Sequence, residues 1–387
     1  MKRILPILLT FCVIFSITAQ NNNVFKAKVI GGAFIPMGYY KNYLGMDGSS
    51  VVAGLEFDYE ILSVGNNSWE KHWNYPTIGV AALTMKLDDW GFGATANPSL
   101  GWMVAAYPYV NLPLYRSTNG EIGAKLGMGV AFFNKKNPGL GSYAAFNFGL
   151  GINGKIKLNR HCDLTLDATY NPITNGDIYG TNATMNIIYG ALGISYRMGN
   201  GDYKLPRMRR AESLPYKFMI NATASMTFKR INENKELGQA MQTTAHIDGV
   251  AKVTNCWATG AAIDAVFEKD GARMGIAWAN AFTMGRFMGL IDAGMNIYDE
   301  KSGAFKLYEF ECLLNNKWSE YERENGTLYM RLGVRYKIMD NIYVQVSGRS
   351  FLHAFDCAEF GIGYSIPYST ARGGKFGGRT GRYNGYR

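Results

Sequence analysis

Glu121-Ile122-Gly123-Ala124-Lys125-Leu126-Gly127-Met128-Gly129-Val130-Ala131-Phe132 alternates without a break. Ile122, Ala124, Leu126, Met128, Val130 and Phe132 fall on one side, and Glu121, Gly123, Lys125, Gly127, Gly129 and Ala131 fall on the other. Successive side chains of a β-strand point to opposite faces, so this stretch reads as a strand with one greasy face and one polar or minimal face. Thr327 to Ile338 repeats the pattern: Leu328, Met330, Leu332, Val334, Tyr336 and Ile338 oppose Tyr329, Arg331, Gly333, Arg335 and Lys337, which puts three cations on one face. Similar alternation runs through Phe146 to Leu158, Ile188 to Arg197, Ile342 to Arg349 and Ala358 to Ile366.

Alternation alone fits a soluble sandwich as well, with the apolar face turned inward. Three observations favour the inverse. The strands are long, glycine is abundant on the polar face, and the chain opens like an exported protein. A barrel in lipid must turn apolar residues outward and tolerates charged and small residues toward its lumen. The chain is 47% hydrophobic and 14% aromatic but only 18% charged, with 46 Gly and 25 Tyr, a composition that suits strands. After the first residues no run of eighteen apolar residues occurs, which excludes a helical membrane protein. The expected fold is all-β: one transmembrane antiparallel β-barrel over 20–367. About eight strands are expected between Val24 and Met198 and six to eight between Leu214 and Ile366, near fourteen in all within a range of 12–16. Tyr107, Tyr109, Tyr115, Tyr336, Tyr343 and Tyr364 fit either interfacial girdles or ordinary β-propensity.

Met1-Lys2-Arg3, an apolar run from Ile4 to Ile17 and Thr18-Ala19-Gln20 read as a secretory signal at 1–19, cleaved after Ala19. Cys12 lies inside the apolar run, which argues against a lipid-anchored N-terminus. Residues 199–213, with Arg207, Arg209 and Arg210, break the alternation and read as a basic connection between the two strand sets. The tail 368–387, rich in Gly and Arg, reads as disordered, with a protein partner as one use for it. Arg372, Lys375, Arg379, Arg382 and Arg387 carry five of the net ten positive charges, and an exported protein has little occasion to meet nucleic acid. The expected surroundings are the outer membrane of a Gram-negative cell and its lipopolysaccharide.

Cys162, Cys256, Cys312 and Cys357 are widely spaced, with no CxxC and no histidine at metal-ligand spacing, so neither a metal nor a disulfide scaffold is expected. Gly149-Leu150-Gly151-Ile152-Asn153-Gly154 matches GxGxxG, but it sits inside an alternating strand and no helix follows, so no nucleotide or other cofactor is expected. His72 and His161 fall in expected turns and His246 opens a strand. His353, near Asp356 and Glu359, is the one acid–base pairing in the second half, and a turn pair is its simpler account.

Asp163 to Tyr170, Asn171-Pro172-Ile173-Thr174-Asn175-Gly176, Thr181-Asn182 through Asn186, and Gly190-Ala191-Leu192-Gly193-Ile194-Ser195 together resemble the core of the lipid A deacylase and acyloxyacyl-hydrolase-like outer-membrane proteins. Tyr107 to Leu114, Lys125 to Ala131 and Leu332 to Tyr364 are similar to the longer, Bacteroidetes-type members. The resemblance implies a His-x-Ser-Asn corner on a strand, with an acidic residue about a dozen positions later. Residues i and i+2 share a face, so the imidazole reaches the hydroxyl it deprotonates. In this chain the His position is Pro172, the Ser position Thr174, the Asn position Asn175 and the acidic position Asn186. Proline carries no titratable group, and an unactivated threonine hydroxyl is a weak nucleophile. The resemblance therefore implies a lipid A-facing or structural barrel that has lost its catalytic pair. Two alternatives remain: an acyl-ester hydrolase of lipid A with Thr174 as nucleophile, and a small-solute porin whose lumen carries Arg331, Arg335, Lys337 and Arg349.

Overall fold

The computed structural model describes residues 23–35, 50–65, 68–87, 100–176, 178, 184–199, 216–233, 236–269, 271–300, 303–304, 327–351 and 355–368. The signal expected at 1–19, the basic connection beyond residue 199, Cys312, His353 and the tail beyond 368 lie outside the described residues.

The first strand set holds the eight strands expected of it: β1 (Asn23–Ile35), β2 (Ser50–Leu62), β3 (Thr77–Lys86), β4 (Trp102–Arg116), β5 (Gly120–Asn137), β6 (Ser142–Lys157), β7 (Cys162–Thr174) and β8 (Met185–Arg197). Each pairs antiparallel with the next, and β1 closes on β8 with Ala27 opposite Ile194. This is a complete ring. The expectation of one ring of about fourteen strands is corrected here, because nothing in the second set enters it.

The second set comprises β9 (Phe218–Glu233), β10 (Glu236–Lys252), β11 (Trp257–Glu268), β12 (Gly271–Met284), β13 (Phe287–Asp299), the two-residue β14 (Gly303–Ala304), β15 (Leu328–Lys337), β16 (Ile342–Phe351) and β17 (Phe355–Tyr368). β12 pairs with β13, β13 with β15, and β17 with β9, where Ala224 faces Ile362. The result is a second eight-stranded ring with β14 hung on the end of β13. The two rings share one topology, a meander closed first strand to last. Closure removes the unpaired edges that an open sheet would expose.

Both rings are inside out. On the outer faces Phe57, Ile152, Leu166, Ile263 and Trp278 are each more than half exposed. Their sequence neighbours point inward and are buried: Glu56, Asp58, Asn153, Asp167 and Asp264. Alternation therefore resolves as the sequence reading expected, with the greasy face out. The tyrosines divide between the faces. Tyr115, Tyr336 and Tyr364 stand outside, while Tyr107, Tyr109 and Tyr343 are buried inside the rings. The GxGxxG run lies within β6, as its alternation required.

Among the described residues, the rim at which β1 begins and β8 ends, called here the near rim, carries short turns and one helix, α1 (Ser68–His72). No helix among the described residues is long and apolar enough to cross a membrane. Beside α1, Trp73 donates its indole N–H to the carbonyl of Thr283 at the end of β12, 2.9 Å away, and its ring lies 6.2 Å from Phe282. Trp69 packs on Gly285, whose φ of +65° lies in the left-handed region that favours glycine. The near rims of the two rings thus meet. Towards the other rim, Phe146 of β6 meets Phe360 of β17 with ring centroids 6.5 Å apart. Strands tilt strongly around so narrow a barrel, so strands that meet at one rim need not meet at the other.

Candidate functional site

The positions that the resemblance singles out fall at the far end of β7 and the start of β8. Pro172 and Thr174 share the outer face of β7, two residues apart, and Asn186 of β8 lies directly opposite Pro172. Three of the four positions that the resemblance singles out, Pro172, Thr174 and Asn186, are therefore neighbours on one face. Tyr170, on the same face, donates its hydroxyl to Asn186 Oδ1 at 2.6 Å. The Thr174 hydroxyl accepts from the Gly176 amide at 3.2 Å, and Asn175 turns inward to donate to the Leu140 carbonyl at 2.6 Å.

No imidazole is brought to this corner from the described residues. His161 lies in the near-rim turn, stacked on Tyr196, and His246 lies inside the second ring. The corner is also covered. Thr174 is only 2% exposed although it belongs to an outward face, and Asn186 is 8% exposed. Gly176, at φ +74°, ends the strand here. A Cβ on it would lie 2.8 Å from Phe146 and 3.3 Å from Ala358 of the second ring. Ala358 itself is buried although the next outward residue of β17, Phe360, is 44% exposed. The Thr174 hydroxyl thus lies under packed side chains and not on an open outer face.

The densest chemistry lies in the two lumens. In the first, Glu56, Asp58 and Glu60 alternate along β2 and meet Lys26 and Lys28 of β1. Lys28 Nζ reaches Glu56 at 2.6 Å, Asp58 at 2.5 Å and Asp167 of β7 at 2.6 Å. Lys125 of β5 shares Glu56 at 2.6 Å, while Glu60 is held by Lys26 and, at 3.3 Å, by Lys155. The tyrosines complete the set. Tyr107 and Tyr189 donate to Glu56 at 2.8 and 3.1 Å, and Tyr109 donates to Glu60 at 2.7 Å with its ring 4.4 Å from the Lys125 ammonium.

The second lumen uses arginine where the first uses lysine. Arg331 and Arg349 are directly opposed across the β15–β16 ladder, a like-charge pairing that needs acids to hold it. Arg331 bonds Asp264 at 2.8 Å and Glu359 at 2.9 Å. Arg335 pairs with Asp248 and donates to Gln345 at 2.8 Å, its guanidinium 4.8 Å from the Tyr343 ring. Arg349 lies 4.1 Å over the Tyr329 ring and donates to Asn296 at 2.7 Å. His246 sits among three carboxylates: Asp264 at 2.8 Å, Asp248 at 3.2 Å and Asp292 at 3.7 Å.

Sequence reasoning placed Arg331, Arg335 and Arg349 in the lumen and all three are there, fully buried, with Lys337 half-buried at the near rim. It missed their acidic partners and, although it put Lys125 on a polar face, the rest of the lysine cluster of the first ring. One signal was available: Glu56, Asp58 and Glu60 at every second position between Phe57, Tyr59 and Ile61. Eight strands enclose only enough room for side chains to fill. These buried, mutually paired groups occupy that room. Among the described residues no cluster of His, Cys, Asp or Glu is arranged to hold a metal ion.

No family model matches the chain, and no curated protein matches it. Among solved structures it is similar to the siderophore receptor PirA from Pseudomonas aeruginosa, at 10% identity over 89% of this chain and 62% of the receptor, with a TM-score of 0.25. The chain thus spans less than two thirds of that receptor's length. It is also similar to a mutant Rh. blastica porin, at 9% identity over 89% of this chain and all of the porin, with a TM-score of 0.17. Overlaps this low carry no argument, and the fold rests on the strand ladders themselves.

Proposed function

We propose that this chain is an outer-membrane protein whose two sealed β-barrels stand side by side in the bilayer, a lipid A-facing structural relative of the lipid A deacylases without their hydrolytic step. One observation carries the membrane reading. Leu166 and Ile152 are about three-fifths exposed on the outside while Lys28, Glu60 and Arg331 are buried inside. Water would penalise that arrangement and hydrocarbon rewards it, because closed ladders pair backbone groups strand to strand and present no open sheet edge to lipid. The loss of hydrolysis is supported by Pro172 at the base position and by the covering of Thr174.

The test is mass spectrometry of lipid A from cells with and without the protein, alongside membrane fractionation. The expected result is a chain that requires detergent for extraction and an acyl pattern that does not change. A loss of acyl mass on expression, abolished by Thr174→Ala, would replace this reading with the hydrolase. Recovery of the protein in a detergent-free supernatant would remove the membrane reading altogether.

A further inference from the structure

Three near-rim turns are built alike. In each, a lysine ends the inbound strand, an exposed aliphatic residue follows, and two successive amides of the turn donate to one carbonyl at the start of the next strand. Leu158 and Asn159 bond the Cys162 carbonyl at 3.0 and 3.1 Å. Val253 and Thr254 bond Trp257, both at 3.0 Å, and Ile338 and Met339 bond Ile342 at 2.9 and 3.2 Å. The preceding residues are Lys157, Lys252 and Lys337. One turn belongs to the first ring and two to the second.

The aliphatic residues Leu158, Val253 and Ile338 are 57%, 51% and 47% exposed. Each continues the outward face of its strand: Ile156 precedes Leu158 and Tyr336 precedes Ile338 on that face. A turn tip bathed in water has no use for them, and their repetition at one register marks where the apolar belt ends. Beside them the exposed charge is mostly positive. Lys157, Arg160, Lys217 and Arg286 are exposed at this rim, whereas the exposed carboxylate among the described residues there is Asp340. Asp163 and Glu121 are taken up by Arg197 and Arg116, and Glu70 of α1 is buried and accepts from the Gly65 amide at 2.7 Å.

We infer that the near rim of both rings is a docking surface for the anionic phosphate headgroups of the adjacent lipid leaflet. The aliphatic tips lodge at the acyl margin while Lys157, Arg160, Lys217 and Arg286 extend flexible stems to the phosphates. Long cationic side chains do this at a membrane boundary, and each cation near an anionic surface adds attraction. The inference rests on the membrane reading above and goes beyond it by naming the lipid class and the rim.

Full-length protein in a neutral detergent, offered equal phosphatidylglycerol and phosphatidylcholine, is read by native mass spectrometry for the lipid it retains. Phosphatidylglycerol is expected to be retained in preference. The combined variant K157Q/R160Q/K217Q/R286Q is expected to lower that preference by at least one cation's share, about fivefold. Exchanging lysine for arginine and arginine for lysine at the same four positions should preserve it, which separates charge from misfolding. An unchanged preference in the glutamine variant, or none in the wild-type protein, overturns the inference. A chain that stays in solution without detergent and binds neither lipid overturns the membrane reading as well, so the two failures are told apart.

Discussion

Lys28 shows what holds these rings shut at the scale of single residues. Its ammonium touches carboxylates of Glu56, Asp58 and Asp167, on two different strands, and none of the four side chains reaches solvent. A buried pair adds little net stability over an apolar filling, but removing one member strands the rest. Lys28→Met should therefore lower the unfolding free energy by about 3–5 kcal/mol, read by urea unfolding in lipid vesicles. A loss below about 1 kcal/mol would mean that water already reaches the cluster. The sequence made this scale only half legible. Arg331, Arg335 and Arg349 stood out because they occupy the polar face of alternating strands that are neighbours, whereas Asp248, Asp264 and Glu359 lie on strands whose partners depend on how the ring closes.

At the scale of the strand the reading was nearly complete, because period two is a local property that needs no knowledge of partners. β7 is typical: Leu164, Leu166, Ala168 and Tyr170 point out and Asp163, Thr165, Asp167 and Thr169 point in, as the alternation required. What alternation could not tell was which face meets water, and a substitution separates the cases. Leu166→Arg places a charge on a side chain 61% exposed in the middle of β7. In a water-soluble protein such a change is nearly neutral, within about 0.5 kcal/mol. In a bilayer it should cost about 2–4 kcal/mol at mid-depth and reduce the folded fraction recovered in vesicles. That Pro172, Thr174 and Asn186 are neighbours follows from two adjacent strands in register and was legible to that extent. Their burial was not, because one of the residues packed around Gly176, Ala358, comes from the second ring, nearly two hundred positions away.

For the whole molecule, strand counting found both sets but joined them into one ring. The number of strands does not say where closure falls, and hydrogen bonding between β1 and β8 is invisible to a reading that proceeds along the chain. Charge gives the physical reason for two rings. A ring of sixteen strands encloses an aqueous channel in which lumen cations stay hydrated without partners. Here Lys26, Lys28, Lys125 and Lys155 find Glu56, Asp58, Glu60 and Asp167 within the first set. Arg331 and Arg335 find Asp248, Asp264 and Glu359 within the second. Each half carries the counter-charges that its own narrow lumen demands. The purified protein in planar bilayers should accordingly pass no steady current at ordinary salt and voltage. Paired variants that empty a lumen, such as Arg331→Ala with Glu359→Ala, should raise conductance if the ring stays folded, because they delete the plug without leaving a stranded charge between those two. Anion-selective current from the unaltered protein would mean that the arginine ladder lines a path instead of closing one.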